Sequence, residues 1–217
     1  MQFNEAQIQA IQHNTGPCMV IAGPGSGKTT VLTHRVRYLI ERYGVNPSDI
    51  LVITFTKAAA EQMKLKFKGL SEGRNSAVTF GTFHAVFFTI LKAAYNYSAH
   101  CIIKPQIQHE FVKDQMCRLE LEYDDENEAV AGVLSEISCV KGEDVNIDEY
   151  ESRCIPPQSF RIMYRAYDDM LVRKHLIDFD DMIVQCRELL MQREDYRRAW
   201  QNKYKYILIL SLIHISE

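Results

Sequence analysis

Residues 18–30 read Cys-Met-Val-Ile-Ala-Gly-Pro-Gly-Ser-Gly-Lys-Thr-Thr. The apolar run 18–22 predicts a short buried strand. A glycine-rich turn, Ala22-Gly23-Pro24-Gly25-Ser26-Gly27-Lys28-Thr29, follows it directly. A helix is predicted next, from about Lys28 to Arg42, because Leu32, Val36, Leu39, Ile40 and Tyr43 recur at helical spacing and Gly44 can stop it. Strand, glycine turn and helix in that order form a cradle for a polyphosphate. Backbone N–H groups must converge on the anion, so side chains must be small, and Gly25 and Gly27 meet that need. The helix aims the positive end of its dipole at the same point. Lys28 adds a charge for the β and γ phosphates, and the Thr29 hydroxyl is placed to ligate Mg²⁺, with Thr30 beside it. The strict pattern GxxxxGK[ST] would put Gly at position 22, where this chain has Ala.

Upstream, Asn4 can cap a helix beginning at Glu5, with Gln7 completing a capping box. Downstream, 50–55 (ILVITF) read as a second buried strand. Thr56 can cap a helix from Lys57 to Lys68. A third strand is predicted at 77–80, followed by GTFHA at 81–85 and a helix through Ala94. Alternating strands and helices predict a parallel α/β sheet with helices on both faces. From about 100 to 175 strand-like runs fade and helical spacing takes over, broken by Pro156-Pro157. A further helix after FDDM and the apolar run Tyr206–Ile215 then bring the chain back to the sheet.

Composition is that of an ordinary globular protein, with 47% hydrophobic and 24% charged residues among 217. The net charge of −3 conceals a split. Residues 1–116 carry 12 basic and 7 acidic side chains, 117–152 carry 2 and 12, and 153–217 carry 11 and 9. A polyanionic partner for the basic part is therefore not excluded. The six cysteines form no CxxC pair, which argues against a zinc or thioredoxin-like site. The opening MQFNEAQIQAIQ lacks a signal-peptide core, and the run 206–215 is too short to span a bilayer, so no membrane association and a cytoplasmic location are expected.

Phosphate binding alone leaves kinases, GTPases, transport motors and helicases open. Several motifs in order choose among them. FNEAQIQAI at 3–11, AGPGSGKT at 22–29, ITFTKAAAEQMKLKF at 53–67, GTFHA at 81–85 and LIDFDDMIVQC at 176–186 together resemble the UvrD/Rep/PcrA-like superfamily I DNA helicases. The resemblance implies a P-loop NTPase of RecA-like fold that binds ATP with Mg²⁺ and acts on single-stranded DNA or a duplex junction, in the 3′-to-5′ direction. It makes Gln7 a reader of adenine, since an amide offers a donor and an acceptor together. Closing the capping box is the other role open to Gln7. The resemblance places Arg35 near the nucleotide base, with an exposed helix arginine as the alternative. It assigns Phe55 and Thr56, then Thr82, Phe83 and His84, to DNA: aromatics stack on bases, while hydroxyls and helix N-termini hold phosphates; a purely structural role is the alternative for His84. Lys57, Lys64, Lys66 and Lys68 are spread around their helix, as a solvated face would be. Asp178, Asp180 and Asp181 read as a helix cap rather than a metal cluster.

The organisation implied is a RecA-like ATP-binding domain 1A at 1–88, a helical insertion of the 1B kind at 89–175, a return to 1A at 176–209, and a tail at 210–217. Family members follow a strand like KYKYILI (203–209) with Asp-Glu. The Asp orients Mg²⁺ and the Glu activates water. This chain continues Leu210-Ser211-Leu212, so the sheet is expected to be truncated at its C-terminal side. The stretch LSLIHISE is expected not to be native, since it resembles translated sequencing adaptor. Without the acidic pair and the second RecA-like domain, this chain alone is expected not to turn ATP over. A helicase subunit of a helicase–nuclease and a nucleotide-binding module without turnover remain alternatives. A small-molecule P-loop kinase would need neither FTxxAAxxM nor GTFHA. Protein partners are not readable from the sequence.

Overall fold

The computed structural model describes residues 2–71, 77–143 and 145–211. The chain divides into two compact units, Met1–Val86 with Glu194–Glu217, and Phe87–Arg193.

The first unit is built on a parallel sheet of order β2-β1-β3. Its strands are β1 (Ile50–Thr54), β2 (Thr79–Thr82) and β3 (Tyr206–Leu210). β1 lies at the centre and is buried along its whole length, as an apolar run with partners on both sides should be. Ile50 and Val52 point to one face, where α2 (Lys28–Tyr43) supplies Val36 and Leu39 and α3 (Lys57–Leu70) supplies Met63 and Phe67. Leu51 and Ile53 point to the other face and are also buried. α1 (Glu5–Gln12) starts at the expected capping box: Gln7 N donates to Asn4 Oδ1 at 2.9 Å and Asn4 N donates to Gln7 Oε1 at 3.1 Å. Thr56 caps α3 through Ala59 N at 3.2 Å. Gly44 ends α2 in the left-handed region, where a side chain would be strained. α9 (Glu194–Lys203) leads into β3.

The expected strand at 18–22 does not form. Residues 17–23 carry no regular structure, and Met19, Val20 and Ile21 are 86%, 56% and 79% exposed. The reason lies in β3, the edge this run would join. Only Leu208 of β3 is buried in the core, while Ile207 and Ile209 are exposed. A parallel strand is held by burial of both its faces. Among the described residues the apolar cover on that side is incomplete, so pairing here would gain little beyond backbone bonds. The third strand lies at Thr79–Thr82 rather than 77–80, because pairing with β1 sets its register: Leu51 faces Thr79 and Thr54 faces Thr82. β3 ends at Leu210. Most of the tail, residues 212–217, lies outside the described residues.

The second unit is helical. It holds most of α4 (Phe83–Tyr95), then α5 (Pro105–Arg118), α6 (Glu126–Glu143), α7 (Pro157–Arg173) and α8 (Phe179–Gln192). Its core packs Val112 and Met116 of α5 with Val130, Val133 and Ile137 of α6 and Phe160, Met163 and Tyr167 of α7. One parallel bridge, Ile102 with Ile177, is the extended element described here. Residues 176–193 lie in this unit, and the chain rejoins the sheet at Glu194.

Asp178 caps α8, accepting from Asp181 N at 2.7 Å in a capping box. The acidic group has a second partner that its own sequence does not reveal. The ammonium of Lys141, on α6, lies 3.0 Å from Asp178 Oδ2, 2.8 Å from Asp181 Oδ1 and 3.0 Å from Asp168 Oδ1 on α7. Tyr167 Oη also donates to Asp178 Oδ2, at 3.2 Å. Lys141 and Asp178 are buried. Burial and the Asp178 charge push the Asp181 carboxyl up to about 6. Burial opposes charge on Lys141, yet the three carboxylates hold it well above the usual lysine range. Among the described residues, no group of His, Cys, Asp or Glu could hold a metal ion; here a lysine supplies the cation.

Candidate nucleotide- and nucleic-acid-binding site

The turn after Ala22 bends back on itself. Ser26 N and Ser26 Oγ both donate to Gly23 O, at 3.4 and 2.7 Å. Gly25 and Gly27 have φ of +73° and +82°, where an L side chain is strained. Lys28, the first residue of α2, folds over the loop, and its Nζ donates to Ala22 O at 2.9 Å and Gly23 O at 2.8 Å. Gly27 is the N-cap of α2 and brings no capping side chain. The first-turn N–H groups, including those of Lys28, Thr29 and Thr30, therefore have no partner within the helix. Thr33 Oγ1 donates to the Thr29 and Thr30 carbonyls at 3.0 and 2.9 Å, tightening this first turn. Pro24, Gly25 and Ser26 are exposed at the turn's crest.

These features fit a polyphosphate. Uncapped N–H groups, a helix dipole and one ammonium converge where a Cβ on Gly25 would meet nothing within 4 Å. The fit to a metal is narrower, with Thr29 offering one hydroxyl. β1 and β3 are in register, Thr54 with Leu210, so Leu210 and Ser211 stand at the strand end where the resemblance expects the acidic pair. Neither supplies a carboxylate to orient a cation or activate water.

Gln7 fills both roles open to it at once. Its oxygen closes the capping box. Its nitrogen donates to Ser26 O in the turn, at 3.1 Å. One donor hydrogen and one lone pair of the amide remain. Arg35 is half-buried, and its guanidinium turns to the end of α1. Its Nη1 donates to Ala10 O at 3.0 Å and to His13 O, at the end of α1. Partial burial lowers its pKa from the ordinary arginine value. No short-range signal could reveal this contact, whose partners lie 22 to 25 residues away.

The connection from Gly44 to Asp49 is short, so α2 runs antiparallel to β1 and its N-terminus lies toward the carboxyl end of the sheet. Parallel pairing brings the ends of β1 and β2 to that same edge, where ligands of open α/β sheets bind. Phe55 and Phe83 follow directly and meet edge-on, with ring centroids 6.3 Å apart. Phe55 is 70% exposed. Thr56 and Thr82 sit beside them as helix caps, accepting from Ala59 N at 3.2 Å and Ala85 N at 3.3 Å. Each hydroxyl keeps its own proton for another acceptor. His84 is half-buried in the first turn of α4. Lys57, Lys64, Lys66 and Lys68 are exposed along α3.

A three-stranded parallel sheet with a glycine turn leading into α2 defines an α/β domain of the P-loop class. The sequence matches the UvrD/REP helicase N-terminal domain over residues 3–209. The chain belongs to that family. It is 33% identical to the ATP-dependent DNA helicase Rep of Escherichia coli (strain K12), over 96% of this chain and 32% of that protein. It is 32% identical to the putative ATP-dependent DNA helicase YjcD of Bacillus subtilis (strain 168), over 95% of this chain and 28% of that protein. It is 30% identical to the ATP-dependent DNA helicase PcrA of a Staphylococcus epidermidis strain, over 94% of this chain and 29% of that protein. The chain thus spans about a third of the length of these relatives. No helix among the described residues is long and apolar enough to cross a membrane.

Proposed function

We propose that this chain is the ATP- and single-stranded-DNA-binding N-terminal part of an ATP-dependent DNA helicase with 3′-to-5′ polarity, and that alone it binds nucleotide without turning it over. The observation that carries the reading is the turn Ala22–Thr29, folded around the Lys28 ammonium at the uncapped start of α2. In it, Lys28 exchanges loop carbonyls for β- and γ-phosphate oxygens, and the first N–H groups of α2 hold the same phosphates. Gln7 reads adenine with its remaining donor and acceptor. Thr29 would hold the Mg²⁺ that accompanies ATP through its hydroxyl, and the ion would supply charge neutralisation of the phosphates. Phe55 and Phe83 stack on bases, while Thr56, Thr82 and His84 hold the strand's phosphates. Residues 1–88 and 176–209 make up a 1A-like domain and 89–175 a helical 1B-like insertion, and residues 210–217 are foreign to the helicase sequence. The family match supports this last point, since it stops at Ile209. A cytoplasmic location belongs to the same proposal.

Calorimetric titration of MgATP into the chain tests the reading. Lys28→Ala is expected to weaken binding at least about tenfold, the value of one charge-assisted contact. Unchanged affinity would refute the nucleotide site. ATPase is expected to stay at background with or without single-stranded DNA, because Leu210 and Ser211 supply no carboxylate. DNA-stimulated turnover by this chain would refute that part.

A further inference from the structure

α1 is tied to α2 at both ends. At its start Phe3, the residue before the Asn4 cap, meets His34 of α2 edge-on with ring centroids 4.9 Å apart. At its end, one guanidinium gathers several carbonyls. Arg35 Nη1 donates to Ala10 O at 3.0 Å, to Ile11 O at 3.5 Å and to His13 O. Tyr43 Oη donates to Gln12 O at 3.0 Å and is braced edge-on by Tyr38. The last carbonyls of a helix have no partner inside it. α1 carries no basic residue in its last turn, so the positive charge opposite its dipole comes from α2.

The geometry points to Arg35, with Tyr43, as a positioning residue for base recognition: it grips α1 by its carbonyl end so that Gln7, near the other end, meets the phosphate loop and the base in register. This rests on the reading of Gln7 as the adenine reader. A helix of eight residues is only about 12 Å long and has little stability of its own. Its place is therefore set by what holds its ends. The tolerance at Gln7 is narrow. Its Nε2 is 3.1 Å from Ser26 O, and a Cβ on Gly27 would come within 3.6 Å of it. A shift of about 1 Å takes such a hydrogen bond out of range. For Arg35 to meet the base itself, it would have to abandon carbonyls that are otherwise left unpaired in a partly buried place.

The test compares dissociation constants for ATP and GTP on the full chain, native and as Gln7→Glu, Arg35→Ala, Tyr43→Phe and the double variant Gln7→Glu/Arg35→Ala. Gln7→Glu keeps the capping box and loses the amide donor. The native chain is expected to prefer ATP. Arg35→Ala and Gln7→Glu are each expected to lose about tenfold of that preference, and the double variant no more than either alone. Tyr43→Phe should lose part of it. Arg35→Lys, which keeps a charge at the end of α1, is expected to retain an intermediate preference and guards against a variant that fails to fold. Equal weakening of ATP and GTP by Arg35→Ala would make its role purely structural and overturn the inference. Additive loss in the double variant would show Arg35 meeting the base directly and overturn it too. A native chain without ATP preference would sink the Gln7 reading itself, and the inference with it.

Discussion

Replacing Lys141 with methionine keeps the aliphatic stem and removes the one cation that three carboxylates share. Their contributions differ. The Asp168 side chain is 40% exposed and rehydrates when its partner goes, so that pair is worth no more than about 1 kcal/mol. Asp178 is 4% exposed and cannot. It keeps its bonds from Asp181 N and Tyr167 Oη, but no cation. Removing one partner of a buried pair typically costs about 3–5 kcal/mol, a large part of the roughly 5–15 kcal/mol that holds a domain folded. Lys141→Met is therefore expected to lose about 3 kcal/mol or more at pH 7.5. The deficit should shrink toward pH 5. Asp181 already has a folded pKa of about 6, raised by burial and by Asp178, above the unfolded value of about 3.9. The folded state thus binds more protons than the unfolded one between those values, and stability falls as pH rises through that window. Without Lys141 the Asp181 pKa rises further, so the variant's stability falls more steeply with pH. Urea unfolding followed by circular dichroism at pH 5 and 7.5, with hydrogen exchange of α6 and α8 amides, reads both effects. A cost below about 1 kcal/mol at pH 7.5, or an equal cost at both pH values, would refute the reasoning.

Phe55→Ala should leave the melting temperature nearly unchanged, because the ring is exposed, yet weaken oligo-dT binding by about 1–3 kcal/mol in a fluorescence-anisotropy titration. Gly27→Ala forces an L residue to a φ of +82° and should cost about 1 kcal/mol in stability and weaken MgATP binding, read by thermal melts and calorimetry. Gly132→Ala would place its Cβ 2.7 Å from Cys154 Sγ; the thermal midpoint should fall, and Gly132→Ala/Cys154→Ala should restore most of it.

Much of the fold was legible because its signals are local. The Asn4–Gln7 box, the Thr56 and Asp178 caps, the Gly44 stop and the fully buried β1 each rest on residues within a few positions of one another. The run 18–22 misled because apolarity predicts burial only where something covers the strand, and Ile207 and Ile209 of β3 are left exposed by the described residues. At the site, the glycine turn could be read from its own residues, while Phe55 and Phe83 were singled out by the resemblance and their places just past the strand ends Thr54 and Thr82 came from the structure. The grip of Arg35 on α1 and of Lys141 on the Asp178 cap could not, since their partners lie 22 to 40 residues away in sequence. Both positions look like ordinary surface cations on a helical wheel.

The central claim is that the turn between Ala22 and Thr29 holds a triphosphate. The most direct measurement is a titration of MgATP into isotopically labelled chain, following backbone amide resonances. The largest shifts are expected on Gly25, Gly27, Lys28 and Thr29, and in Lys28→Ala they are expected to need at least about tenfold more MgATP. Shifts confined to other segments, or unchanged in Lys28→Ala, would contradict it.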